Sequence, residues 1–190
     1  RFRRLDTSRH LVPNCARTAR RTPLRQQRDP SGHRGTSRPP TRSCHTEHMP
    51  DQSSSSTEAV VRSYLASFAT ADPDAIAAHV SDDFANRHTS ALGSSCDGRD
   101  AYRERLPDFL ASMPGLEYGL DELVIDGDRA AAFYTLTGTW GGVPFSVQGA
   151  QRLVVRDGQI TSRLDHWDSA VFLRQVDEAA ATALRSVGLA

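Results

Sequence analysis

Six consecutive residues, RLDHWD (Arg163 to Asp168), include four side chains that can carry charge. They follow VVRDGQIT, which reads as a strand, a tight Asp157-Gly158 turn and the start of a second strand. If that strand continues through the stretch, Arg163, Asp165 and Trp167 share one face and Leu164, His166 and Asp168 the other. A carboxylate between an arginine and a tryptophan on one strand face is either a structural ion pair or a working acid/base group. Buried ion pairs are poor stabilisers, so the pattern favours function. We therefore read the Arg163–Asp165–Trp167 face as a pocket floor, with Arg163 the charge partner of Asp165. Tyr134, Leu136 and Gly138 alternate along another strand and make an apolar wall, Gly138 leaving room beside it. His166 is expected on the outer face.

Other chemistry is less well supported. His79 sits beside Ala77 and Ala78 and reads as a surface residue. Cys96 lies in a loop without a neighbouring base, and HTSALGSSCDG lacks the Gly-Lys-Ser/Thr end of a phosphate loop. His88, His166, Asp165 and Asp168 form no recognisable metal site, and no cofactor is expected. The three cysteines, Cys15, Cys44 and Cys96, make neither a disulfide framework nor a zinc spacing.

The elements that position these residues are legible from periodicity. STEAVVRSYLASFATAD opens with a Ser/Thr cap and puts Val60, Val61, Tyr64, Leu65 and Phe68 on one helical stripe. DPDAIAAHVSDDF restarts a short helix at Pro73, with Ile76, Ala77, Val80 and Phe84 as its stripe. ANRHTSALGSSCDG reads as a polar loop. RDAYRERLPDFLASM reads as a third helix, kinked or interrupted near Pro107, with Tyr102, Leu106, Phe109 and Leu110 inward. From Leu116 the period changes to two, and turn signals at Asp126-Gly127-Asp128, Gly141-Gly142 and Asp157-Gly158 divide four strand-like runs. Helices followed by an antiparallel meander predict an α+β fold with helices packed on one face of a curved sheet. A final helix spaces Phe172, Val176, Ala180 and Leu184 four apart.

Charge divides the chain in two. Residues 1–48 hold 12 arginines against three acids, and residues 49–190 hold 11 against 20. The first segment has almost no apolar periodicity and many Pro, Ser, Gly and Arg residues, so disorder is expected. It reads as a nucleic-acid arm, as a transit peptide, or as upstream sequence translated by mistake ahead of Met49. No interleaved aromatics or folded reader support the nucleic-acid arm, and we favour the last reading, because the sequence opens on Arg1 and Met49 is followed by a plausible start, MPDQSSSSTEAVV. The functional unit is then residues 49–190, acidic on balance and expected to avoid nucleic acid and anionic membranes. No run of 18 apolar residues is present to span a membrane, and the cytoplasm is the expected location.

The order helix–helix–loop–helix–meander, ending in DGQITSRLDHWD, resembles the nuclear transport factor 2-like superfamily. That group includes ketosteroid isomerases, SnoaL-like polyketide cyclases and limonene-epoxide hydrolases. The resemblance covers roughly residues 57–175 and is most specific in EAVVRSYLASFATADPDAIAAHVSDDF. It implies a cone-shaped, strongly curved antiparallel sheet, with N-terminal helices on its concave face, around an apolar pocket for a hydrophobic small molecule. It also implies a homodimer formed through the outer sheet face.

Tyr64 falls on the isomerase tyrosine that donates to the substrate oxyanion. His88 falls where those enzymes keep an aspartate base, and Gln151 about where they keep a protonated aspartic acid. LDHWD is similar to the last strand of the epoxide hydrolases, placing Asp165 on a catalytic carboxylate. The strand AFYTLTGTW lacks the Arg-x-Asp pair those enzymes also need. An imidazole base works best near its ordinary pKa, and a carboxylate on its far nitrogen fixes the tautomer. The expectation is thus cofactor-free cyclisation, isomerisation or hydration, with His88 as base, Asp165 as its orienter or a second acid, and Tyr64 as oxyanion donor. The competing reading is a non-catalytic ligand-binding or dimeric accessory domain of the same fold.

Overall fold

A computed structural model describes residues 52–189, and their side chains from Ser56 onward. The arginine-rich segment 1–48 lies outside the described residues. Helix α1 (Gln52–Ser67) buries Val61, Tyr64 and Leu65 on the expected stripe. A short 3-10 turn, Phe68–Thr70, ends at Ala71 in the left-handed conformation (φ 52°). Asp72 then caps α2 (Pro73–Ala77) by accepting from the Asp74 N–H at 2.9 Å, with Pro73 in the first turn, where its missing N–H costs nothing.

Here the structure corrects the sequence reading. Helix α2 stops at Ala77, and Val80 and Phe84 lie on strand β1 (Val80–His88), not on a helical stripe. A four-residue spacing fits a helical face, but four is also twice the strand period, so Val80 and Phe84 satisfy both. Four residues of the expected loop, Ala85 to His88, therefore belong to a strand. A short β2 (Cys96–Asp97) pairs back on it.

Helix α3 (Arg99–Ser112) runs through Pro107 and buries Tyr102, Leu106 and Leu110, while Phe109 is half-buried. The meander follows as expected in β3 (Glu117–Asp126), β4 (Arg129–Trp140), β5 (Val143–Arg156) and β6 (Gln159–Trp167). The sheet thus has six strands in the order β2-β1-β6-β5-β4-β3, not four. It is mixed rather than wholly antiparallel, because β1 pairs with β6 in parallel.

The fold is α+β. The apolar residues of α1 and α3 join those of one sheet face in a single core. Thr57 in α1 donates to the Gly127 carbonyl at 2.8 Å, tying the helix to the β3–β4 turn. Edge-to-face rings run through the core from Tyr64 to Phe68 (5.3 Å), Tyr118 (4.8 Å) and Tyr134 (4.9 Å).

The expected final helix is two, α4 (Ser169–Val176) and α5 (Glu178–Ser186), broken at an extended Asp177 that caps α5. Strand β5 projects beyond the end of β6, and the Gln175 side chain of α4 takes the missing strand's place. Its amide donates to the Ser146 carbonyl and accepts from the Ser146 N–H, both at 3.0 Å. Phe172 inserts among Trp140, Phe145 and Trp167, with ring centroids 5.7, 5.1 and 6.1 Å away.

Candidate functional site

Strand register assembles the polar residues in three cross-strand rows on the inner face. The middle row is His88–Asp165–Gln151–Ala132, from β1, β6, β5 and β4. One row to one side lies Asn86–Arg163–Leu153–Ala130; to the other lies Trp167–Gly149–Tyr134. The parallel β1–β6 pairing puts His88 beside Asp165, although 77 residues separate them in sequence. Gly149 explains how a tyrosine from the neighbouring row reaches the carboxylate. A Cβ there would come within 2.4 Å of the Tyr134 hydroxyl oxygen and 2.5 Å of its ring. Without one, Tyr134 lies across the gap and donates to Asp165 Oδ1 at 2.6 Å.

Arg163 is buried, 4% exposed, and all its assigned acceptors are neutral. Nε donates to Asn86 Oδ1 at 3.0 Å, Nη1 to the Tyr64 hydroxyl at 2.6 Å, and Nη2 faces His88 Nε2 at 3.2 Å. Its guanidinium also lies 6.0 and 5.8 Å from the ring centroids of Tyr64 and Tyr102. The two phenol oxygens are 2.7 Å apart. With Arg163 donating into the Tyr64 oxygen, Tyr64 can donate to Tyr102, leaving Tyr102 at the end of the chain.

These contacts fix the proton on the imidazole. A guanidinium only donates, so His88 Nε2 accepts and the ring proton sits on Nδ1, 3.8 Å from Asp165 Oδ2. Burial, then the charges of Arg163 and Arg105, lower the His88 pKa from 6.5 to about 3, so the ring is neutral. Asp165 shifts the other way. Burial raises its pKa against the pull of Arg163 and the Tyr134 hydrogen bond. Burial also raises Tyr64, Tyr102 and Tyr134, which stay protonated. Arg163 stays charged: burial opposes that charge, but Tyr64, Tyr102 and Asp165 outweigh it. The resulting sequence is guanidinium, neutral imidazole, carboxyl, phenol.

The structure thus brings together Tyr64, His88, Tyr134, Gln151, Arg163 and Asp165. It places Trp167, Leu136 and Gly138 further along the same face, away from the carboxyl. Gly138 leaves no open room, because a Cβ there would meet the Phe145 ring at 3.2 Å. Sequence reasoning missed Asn86 and the polar role of Tyr102. Alternation from Phe84 would have pointed to Asn86 and His88; nothing local could have paired Tyr102 with Tyr64. His79 is half-buried with its ring 6.0 Å from that of Tyr64, but its nitrogens point elsewhere, 2.8 Å from the Ser63 hydroxyl and 2.9 Å from the Ala75 carbonyl. His166 is exposed on the outer face, and half-buried Cys96 packs against the core with its thiol sulfur 3.8 Å from the Asn86 amide. Among the described residues, no group of three His, Cys, Asp or Glu side chains is arranged to hold a metal ion.

A family model described as the SnoaL-like domain matches residues 61–163. No curated protein matches the chain. Among solved structures, a candidate polyketide cyclase from Xanthomonas campestris pv. campestris is 23% identical with a TM-score of 0.58, over 66% of this chain and 100% of its own. An LEH-like epoxide hydrolase from M. tuberculosis is 18% identical with a TM-score of 0.57, over 71% and 98%. A hypothetical protein with a ketosteroid isomerase-like fold from Catenulispora acidiphila, solved with trimethylamine, is 22% identical with a TM-score of 0.57, over 61% and 90%. At these identities the likeness is one of fold.

Proposed function

We propose, for a chain that belongs to the SnoaL-like domain family, cofactor-free acid/base chemistry on a hydrophobic small molecule: cyclisation, isomerisation or hydration. The observation that carries this reading is the network itself. A carboxyl with a raised pKa lies in an apolar core beside a neutral imidazole and a phenol pair backed by a buried guanidinium. In this scheme Asp165, not His88, is the proton acceptor, because the basic nitrogen of His88 already accepts from Arg163. Asp165 takes a proton from a carbon beside a carbonyl, and the electron pair of that bond moves onto the carbonyl oxygen. The Tyr64–Tyr102 pair, polarised by Arg163, donates to the oxygen that gains charge. Asp165 then returns the proton to another carbon, completing an isomerisation.

One observation favours the non-catalytic reading. Tyr64, Gln151, Arg163 and Asp165 are each under 5% exposed and bonded to one another or to neighbours, as in a core network. Deuterium exchange separates the two readings. A panel of apolar ketones and 1,3-dicarbonyls is incubated in D2O with the full chain and followed by NMR. The catalytic reading expects exchange at the carbon beside the carbonyl, slowed about 100-fold or more in Asp165→Asn. If neither that panel nor a matching set of epoxides reacts, the binding reading is left, and native mass spectrometry then looks for a retained ligand.

A further inference from the structure

Asp165 is held unequally at its two oxygens. Oδ1 accepts a short bond from Tyr134 at 2.6 Å. Oδ2 has only long approaches, from Gln151 Nε2 at 3.4 Å and His88 Nδ1 at 3.8 Å. The second is beyond hydrogen-bonding distance.

Beside that loosely held oxygen are two buried polar atoms with no partner among the described residues, His88 Nδ1 and Gln151 Oε1. Gln151 is fully buried on the adjoining strand, in the same cross-strand row as both Asp165 and His88. Arg163 holds the other imidazole nitrogen, so Nδ1 is a donor without an acceptor. Gln151 Oε1 is an acceptor without a donor. Buried polar atoms are rarely left this way, since each unmade bond forfeits the hydration the atom has lost without replacing it.

The chemistry of the three atoms selects the group that would satisfy them. It must accept from Nδ1–H and donate to Oδ2 or Oε1. A carbonyl oxygen cannot donate, an ammonium cannot accept, and a metal ion would face the Nδ1 proton. A hydroxyl oxygen does both. We propose that His88 Nδ1, Asp165 Oδ2 and Gln151 Oε1 form a binding site for one hydroxyl oxygen, supplied by water or by an alcohol or enol group of the ligand. What that oxygen does there rests on the reading of Asp165 as proton acceptor: bound at Oδ2, it lies where its proton would be taken. A bound water would make hydration the chemistry of the site, and a bound ligand hydroxyl would make this the anchor that orients the substrate.

The test is a crystal structure of the full chain at a resolution that shows ordered water, with 15N spectra of the histidine side chains. The expected result is one oxygen within hydrogen-bond distance of all three atoms, with His88 as the Nδ1–H tautomer. Gln151→Leu should lose that oxygen and leave the Nδ1 proton exchanging faster with solvent. An isolated density peak identifies water, whereas density continuous with a carbon skeleton identifies a ligand hydroxyl.

A direct His88–Asp165 hydrogen bond with no third oxygen would overturn the site. So would an Nε2–H tautomer, or an oxygen that persists unchanged in Gln151→Leu. Should that variant fail to fold, the wild-type density and tautomer still decide. Neither readout depends on turnover. A bound oxygen in a protein inert to carbonyls and epoxides would sink the catalytic reading alone, and turnover without the oxygen would sink only this one.

Discussion

Gly149 and His88 show how single residues set the chemistry of this cluster. The Tyr134–Asp165 bond exists only because position 149 has no side chain. Gly149→Ala should push the Tyr134 ring away, break that bond and destabilise the fold by about 1–3 kcal/mol through overpacking. Urea unfolding measures the loss, and Tyr134→Phe separates the terms, since it removes the hydroxyl without the clash. His88 makes a sharper case. Sequence reasoning expects an imidazole that titrates near neutrality and is raised by a carboxylate. The structure buries the ring and sets a guanidinium against its basic nitrogen, and burial first, then that charge, lower the pKa to about 3. In a 15N-detected titration of the histidines, His88 should remain a neutral Nδ1–H tautomer down to about pH 4. A His88 signal moving through pH 6–7, or one whose midpoint drops sharply in Asp165→Asn, would restore the histidine–carboxylate dyad and return the base role to His88.

At the scale of elements, the sequence made local structure legible but not long-range pairing. The α1 stripe, α3 and the four meander strands follow from periods of 3.6 and 2 and from the glycine turns, all read within a few residues. Strand β1 was hidden because Val80 and Phe84 fit either period and because its far end, NRH, is polar. Polarity looked like a loop, yet Asn86 and His88 are polar because they face Arg163 and Asp165. That pairing is parallel and joins the first strand to the last, so no nearby residues announce it. The same limit applies to α4, whose Phe172 stripe was visible but whose target was not. Phe172 closes the aromatic end of the inner face against Trp140, Phe145 and Trp167. Phe172→Ala should cost about 3–5 kcal/mol if α4 is integral to the core. A loss well under 1 kcal/mol, with Trp fluorescence shifted to the red, would instead mark α4 as a cover that lifts from the sheet.

On the scale of the whole molecule, the cluster ties stability to pH, and the signs of its members differ. His88 has a folded pKa of about 3 against 6.5 unfolded, so the unfolded chain binds the extra proton. Its contribution is complete above pH 6.5 and is lost as pH falls from there toward 3. Asp165 is raised by burial, so in its window the folded protein binds the extra proton. That contribution is present below the ordinary carboxylate range and lost as pH rises through the raised value. The two therefore oppose each other in mildly acid solution, and neither can be read from one unfolding curve. Substitution separates them. His88→Gln should flatten the fall in stability between pH 6.5 and 4, removing a pH-dependent term on the order of a few kcal/mol. Asp165→Asn should steepen that fall, because it removes the opposing carboxyl while leaving the imidazole beside Arg163. Denaturant unfolding of the full chain at a series of pH values measures both slopes. If His88→Gln leaves the acid limb unchanged, the imidazole is not held neutral by burial and Arg163, and the guanidinium–imidazole–carboxyl order fails with it.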